Sequence, residues 1–338
     1  MNGMKTPIIT VAGAGIVGLW QALTLARRGH SVRLIERSAE PFALAASALA
    51  GAMLAPYCEA EAADPLVREL GLKSLTLWPQ SYPGVTVKGT LVVAGTRDRA
   101  ELVRFARMTD GFEKLDAEEL NALEPDLEGR FAAGLHYPAE AHMAPAEAMR
   151  FLLDAIRAAG VQVAFSSTWT GRSSAEETVI DCRGLAARGE LTGLRGVRGE
   201  RAIVRVRDVD LIRPVRLLHP RHPLYVVPWG GYRYMIGATV IESDDDGPAT
   251  VRSALELLGS AYALHPAFGE AQILDLGAGV RPAFADNVPK IVVRGRTIHV
   301  NGLYRHGFLL APVLAELVAD YLATGAVDDR VFKMEAAT

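Results

Sequence analysis

Ile8-Ile9-Thr10-Val11-Ala12-Gly13-Ala14-Gly15-Ile16-Val17-Gly18 is the stretch on which the reading of the whole chain turns. Its β-branched start, Ile8–Ala12, predicts a strand, and the glycines after it fit the G-x-G-x-x-G pattern. Ile16–Arg28 then reads as a helix ending at Gly29, with Arg27 and Arg28 in its last turn where the helix dipole favours cations. Val32–Glu36 reads as a second strand. A strand, helix and strand joined in this way pair in parallel, because only a crossover returns the chain in the same direction. Each glycine has its own task in such a unit. Gly13 permits the tight turn, Gly15 lets backbone approach a pyrophosphate, and Gly18 lets helix pack on strand.

Glu36 closes the second strand, about 20 residues beyond the glycines, where a carboxylate accepts hydrogen bonds from a ribose hydroxyl. The same charge repels a 2′-phosphate, which disfavours NADP. NAD and FAD both use this unit, so the unit alone does not separate them. Downstream, Phe42–Tyr57 carries no charge and is rich in Ala and Gly. It is short for a membrane span and reads as buried backbone beside a long ligand, or equally as a tightly packed Ala-rich helix.

The rest of the composition bounds the answer. The chain has 338 residues, half of them hydrophobic, which suits two joined units able to bury a large cofactor. A formal charge of -3 with interspersed signs argues against nucleic acid as a partner. Two distant cysteines, Cys58 and Cys182, form neither a metal spacing nor a disulfide framework. A cytoplasmic location fits, since Met1–Pro7 has no secretory pattern. No metal site and no membrane span are expected.

Beyond Gly84 the pattern changes. Val85–Val93 and Phe131–Tyr137 are strand-like, whereas Leu102–Thr109 and Ala117–Leu123 look helical. Pro145–Ala159 predicts a helix stopping at Gly160, and the strand Val161–Phe165 follows. Gly196–Val206 and Leu224–Val240 are long β-type runs, the second turned by Trp229-Gly230-Gly231. Thr297–Val300 reads as a last core strand and Pro312–Leu322 as a final helix. The expected class is α/β: a Rossmann-like nucleotide-binding unit with a parallel sheet (1–83, 141–190 and 276–338), interleaved with a mostly antiparallel substrate unit (84–140 and 191–275).

On these segments the chain resembles the D-amino-acid oxidase family of FAD enzymes, nearest its glycine oxidase branch, which includes members serving thiamine biosynthesis. Besides the opening unit, the resemblance rests on Ser47–Pro56, Gly89-Thr90-Leu91-Val92-Val93, Leu123-Glu124-Pro125-Asp126-Leu127, Glu140-Ala141-His142 and Val179-Ile180-Asp181-Cys182-Arg183-Gly184. Tyr225-Val226-Val227-Pro228, Ile236-Gly237-Ala238-Thr239, Gly279-Val280-Arg281-Pro282 and Arg305–Pro312 continue it. The order and spacing of these pieces carry the match; none does so singly. The resemblance implies non-covalent FAD held by Gly13, Gly15, Ile16, Val17, Gly18, Glu36 and Arg37. It adds Ser47, Ala48, Gly51, Ala52, Met53 and Leu54 along the pyrophosphate and ring, and Val163 at the adenine. Cys182, Arg183, Gly184, Arg281, His306, Gly307, Phe308, Leu309 and Leu310 complete the implied set.

Family enzymes pass a hydride from the α-carbon of an amino acid to flavin N5, and oxygen leaves as hydrogen peroxide. Arg281 matches the family's carboxylate-binding arginine, whose planar fork grips both oxygens. Tyr225 matches the hydroxyl assisting there, and Arg305 a pocket residue. As bare residues, Arg281 reads first as a surface ion-pair partner, Tyr225 equally as a packed strand aromatic, and Arg305 as a cap or surface cation. His222 and His306 receive no catalytic part, since hydride transfer from a neutral amine does not demand a base. Asn287 stands where many members carry glycine, and Trp229 and a pocket-side Val240 are fixed by no motif.

The function expected is oxidation of glycine, with sarcosine or a small D-amino acid as near alternatives and molecular oxygen as acceptor. Delivery of the imine to a thiazole synthase and assembly as a homo-oligomer stay open. A flavin monooxygenase would show a Gly-Asp pair near the C-terminal flavin segment, and none is found. A non-catalytic FAD-binding protein would have no need of Arg281 and Tyr225.

Overall fold

The computed structural model describes residues 7–170, 177–220 and 223–336, so His222 lies outside the described residues. The first helix, Ile16–Arg27, is buried on almost every side, from Ile16 and Leu19 through Leu23 and Leu25. A helix apolar all round has to be covered all round. It lies on the strand Ile9–Ala12 and packs against the helices Pro145–Ala158 and Gly307–Thr324. Each fully buried Leu contributes roughly 2 kcal/mol of transfer free energy. Gly29 follows the helix at φ +86, the left-handed residue that lets the chain turn back to Val32.

Seven strands form the first sheet, in the order Phe332–Glu335, Lys290–Arg294, Thr297–Asn301, Thr178–Asp181, Ile9–Ala12, Val32–Ile35, Gln162–Ala164. Every neighbouring pair is parallel except Lys290–Arg294 with Thr297–Asn301. Ile9 lies opposite both Val32 and Thr178, which places Ile9–Ala12 at the centre with its residues buried on both faces.

The second sheet has eight strands, in the order Gln272–Ala283, Arg195–Arg205, Arg233–Gly237, Leu224–Pro228, Val215–Leu218, Thr90–Ala94, Ala133–Tyr137, Glu113–Asp116. It is antiparallel apart from Val215–Leu218 beside Thr90–Ala94. Leu224–Pro228 and Arg233–Gly237 make the hairpin expected at Trp229-Gly230-Gly231, with both glycines left-handed. A third, short ladder pairs Met53–Leu54 with Ala141–His142. The α/β class with parallel and antiparallel sheets is therefore as read from the sequence.

Two expectations change. Gln272–Ala283 runs unbroken in the second sheet, paired with Arg195–Arg205, although residues from 276 onward were assigned to the nucleotide unit. Its glycines signal a close approach and not a boundary: a Cβ on Gly279 would stand 2.4 Å from Leu49. The last helix starts at Gly307, not Pro312. Proline cannot donate to the carbonyl four residues back, and Trp78 supplies the missing donor, its Nε1–H bonding Phe308 O at 2.7 Å. Phe42–Ala50 forms a 3-10 turn at Ala46–Leu49 and lies along the wall of a large cavity, where the sequence places small residues beside a ligand.

Among the described residues, Gly307–Thr324 is the one helix long and apolar enough to cross a membrane, and more than half of it is buried inside the protein. Both cysteines are free and buried, and burial pushes their thiols up.

Candidate active site

A cavity of about 1080 Å³ runs between the two sheets. At the first sheet its wall begins with the glycine turn. Gly13 adopts φ +100, and a Cβ there would approach Cys182 O to 2.7 Å. A Cβ on Gly18 would meet Gly13 O at 1.8 Å, so that glycine sets how closely helix and strand pack. Gly15 differs, because its Cβ would meet nothing closer than Ser47 Oγ at 3.6 Å, an ordinary contact. It is also the N-cap of the first helix and has no side chain of its own to cap it, and the helix start lines the cavity.

Glu36 fixes this turn from the neighbouring strand. Its carboxylate accepts from Ala14 N–H at 2.8 Å and from Ser38 N–H at 2.9 Å. Ser47 Oγ accepts from Ile16 N–H at 3.2 Å, tying the small-residue segment to the helix start. Arg183 lines the same end but turns its guanidinium onto Asp181 (2.8 Å) and Glu190 (2.6 Å), 4.4 Å over the Trp169 ring.

The second sheet supplies the other wall. Tyr225 and Arg281 come from strands on it, and the turn into the last helix adds Arg305 and His306. Arg281 lies over Gly199, whose Cβ would fall 2.0 Å from the guanidinium, so only glycine admits it there. Its Nη1 donates to Thr239 O at 3.2 Å and, more weakly, to Arg198 O at 3.5 Å. Burial raises the Tyr225 phenol, and the charges of Arg281 and Arg305 offset part of that rise. The hydroxyl therefore stays protonated at neutral pH.

Most of the sequence-derived set lines this one cavity: Gly13, Gly15, Ile16, Val17, Glu36, Arg37, Ser47, Ala48, Gly51, Ala52, Met53, Cys182, Arg183 and Gly184 at one wall. Tyr225, Arg281, Arg305, His306, Gly307, Phe308 and Leu309 line the remainder. Gly18, Leu54, Val163 and Leu310 do not. Strand alternation explains one case, since Met53 faces the cavity and Leu54 must then face the core. Val163 is half-buried on an edge strand, while Ser167, Thr168 and Trp169 line the cavity nearby. Val240 is exposed in a loop outside the lining. Asn287 holds φ +55, a left-handed conformation that Asn tolerates better than most residues and glycine adopts freely.

Sequence reasoning missed Glu59 and Arg216. Glu59 Oε2 takes Arg305 Nε and His306 Nε2, each at 2.8 Å, and its Oε1 faces Arg216 at 3.4 Å. Burial pushes the Glu59 carboxyl up, yet Arg305, the His306 bond and Arg216 outweigh it and hold the group well below the usual range. The signals were present: Glu59 is the first charge after the neutral run, and Arg216 sits between apolar Val215 and Leu217.

A glycine-turn cradle of the nucleotide-binding type, continuous with a pocket lined by Arg216, Arg281 and Arg305, places the chain among dinucleotide-binding proteins. The chain belongs to the FAD dependent oxidoreductase family, whose pattern matches residues 9–321. A Rhizobium etli protein named as the thiamine biosynthesis oxidoreductase ThiO is 52% identical over 94% of this chain and 96% of its own length. The crystal structure of glycine oxidase from Geobacillus kaustophilus superposes with a TM-score of 0.80 at 25% identity, covering 94% of this chain and 95% of that one. A Trichormus variabilis protein named bifunctional protein ThiO/ThiG is 27% identical, covering 93% of this chain and 52% of that protein.

The cofactor is accordingly FAD, and the residues fit it. Gly15 and the cavity-lining helix start suit a pyrophosphate. Trp169 Nε1 and His306 Nδ1, both in the lining residues, are buried and have no protein partner, as groups awaiting a polar ligand would be.

Proposed function

We propose that this enzyme oxidises glycine or a similarly small amino acid, giving the imine, then glyoxylate and ammonia, with oxygen reduced to hydrogen peroxide. The carrying observation is Arg281, a cavity-lining guanidinium whose hydrogen bonds go to two carbonyls, beside the Tyr225 hydroxyl. Bound FAD supplies the two-electron redox chemistry.

The protein's own residues position the substrate. Arg281 grips the carboxylate, and Tyr225 donates a further hydrogen bond to it. Glycines hold the Tyr225 ring: a Cβ on Gly51 or Gly237 would come within 3.2 or 3.3 Å of it. Fixing the amino acid by its carboxylate presents the Cα–H in one direction, and such orientation lowers barriers by several kcal/mol. Gly307, Phe308 and Leu309, at the start of the last helix, enter the cavity, so the positive end of that helix favours negative charge on its neighbour.

Sarcosine and small D-amino acids share the same clamp. The name of the Rhizobium etli relative supports a place in thiamine biosynthesis, where the imine would pass to a thiazole synthase. Anaerobic bleaching of the flavin band by glycine, with a peroxide assay in air, tests the substrate. Arg281→Ala tests the clamp: kcat/KM should fall on the order of 10³-fold with FAD content unchanged, and full activity would refute the assignment.

A further inference from the structure

Three arginines and one carboxylate act on the Tyr225 hydroxyl: Arg281, Arg305, Arg216 and Glu59. They are not equivalent. Arg305 and Arg216 both face Glu59, at 2.8 and 3.4 Å, whereas Arg281, among the described residues, donates to carbonyl oxygens. Arg281 therefore holds a positive charge with no carboxylate partner among the described residues, whereas Arg305 is already paired with Glu59, a carboxylate it shares with Arg216.

We propose that Glu59 determines specificity by occupying Arg305, which confines the site to substrates bearing a single carboxylate. The inference rests on reading Arg281 as the carboxylate clamp. Its physical basis is competition at fixed geometry. Glu59 is anchored at the end of the short helix Pro56–Glu59, and its side chain is only 16% exposed. A second carboxylate on a ligand held at Arg281 meets this pre-paired anion, and to reach Arg305 it must displace a tethered competitor. It also brings like charge against Glu59 where water screens poorly. His306, buried and bonded to the same Oε2, holds the carboxylate in place from the other side.

Glu59 thus takes the place of the second acidic group of a dicarboxylate. An amino acid with one carboxylate leaves the Glu59–Arg305 pair intact, while an N-carboxymethyl or β-carboxyl substituent opposes it. Removing the charge at 59 should turn Arg305 into a second anion site.

Acetate and malonate, neither of which carries an oxidisable amine, are the probes. Their dissociation constants are measured on the holoenzyme by perturbation of the flavin absorbance, with no turnover involved. In the wild type, malonate should bind no more tightly than acetate despite its extra charge; malonate tighter by tenfold would overturn the proposal without any variant. In Glu59→Gln, which keeps the shape and removes the charge, the affinity ratio of malonate to acetate should rise at least tenfold. An unchanged or lower ratio overturns it. Glu59→Gln combined with Arg305→Met should abolish the rise, and persistence would show that Arg305 is not the released cation. Acetate binding that does not weaken in Arg281→Ala would remove the clamp reading and this inference with it. Acetate binding that depends on Arg281, with a ratio indifferent to Glu59, removes the inference alone.

Discussion

At the nucleotide end of the cavity the fixing contacts are short in sequence: Ala14 to Glu36 spans 22 residues and Ile16 to Ser47 spans 31. At the substrate end they are long, with Glu59 reaching 157 residues to Arg216 and 247 to His306. The materials differ as well. One end is built of backbone N–H groups and missing Cβ atoms, the other of buried ionisable side chains. The first should respond to added volume and little to pH, and the second the other way round.

The largest effect tests the steric half. Gly18→Val places a carbon where Gly13 O leaves 1.8 Å, against backbone that cannot move aside. A loss of roughly 4 kcal/mol or more, or no folded protein, is expected in chemical unfolding. A variant melting within a few degrees of wild type would break the claim that this turn is held by close approach.

The same contrast explains what was legible beforehand. The opening strand, helix and strand follow from local periodicity and glycine spacing, and the structure places them within a residue or two of the reading. Arg281, Tyr225 and Arg305 were reached only through resemblance, since nothing local separates a clamp arginine from a surface one. Glu59 and Arg216 were missed because their meaning is mutual and depends on the helix Pro56–Glu59 meeting the strand Val215–Leu218. The start of the last helix was misread for a related reason. Pro312 looks like a first-turn proline until Trp78 is known to satisfy Phe308 O, a contact across 230 residues. The extent of Gln272–Ala283 likewise depends on a partner strand far away in sequence.

The electrostatic half is tested by pH. Glu140 lies behind the substrate end, fully buried, accepting the Cys58 N–H at 2.7 Å, and burial raises it to about 7. Unfolded, it titrates near 4.5, so between these values the folded chain holds the extra proton. Its stabilisation is complete below 4.5 and is lost as pH rises through about 7, an effect on the order of 3 kcal/mol. His142, which burial pushes down to about 4, acts with the opposite sign: between there and 6.5 stability rises with pH. Comparing wild type with Glu140→Gln separates the two. The variant should gain stability relative to wild type steadily from pH 4.5 to 7.5, and a pH-independent difference would show that Glu140 is ionised in the folded chain.

Trp78→Phe asks whether sequence distance or ionisation makes the far end pH-sensitive. The substitution keeps an aromatic ring stacked near Phe308 and deletes the donor to its carbonyl, leaving a buried C=O unpaired. About 2 kcal/mol should be lost, equally at pH 5 and pH 8, because nothing in the contact titrates. A loss that changes between those pH values would tie sensitivity to distance alone.

Gly15→Ala has the smallest expected effect and separates two glycines only three positions apart. Unlike Gly18, Gly15 has ordinary space for a methyl group, 3.6 Å from Ser47 Oγ and 3.9 Å from Ala45 Cβ, and an unremarkable φ of -72. Unfolding of the apoprotein should therefore shift by less than about 1 kcal/mol, mostly from the poorer N-cap. The added carbon instead enters the cavity where backbone must approach the pyrophosphate, so FAD affinity should fall about tenfold, or ~1.4 kcal/mol, in equilibrium dialysis. If affinity holds while stability falls, Gly15 is a packing glycine like Gly18, and the nucleotide end keeps its steric character but loses its approach residue.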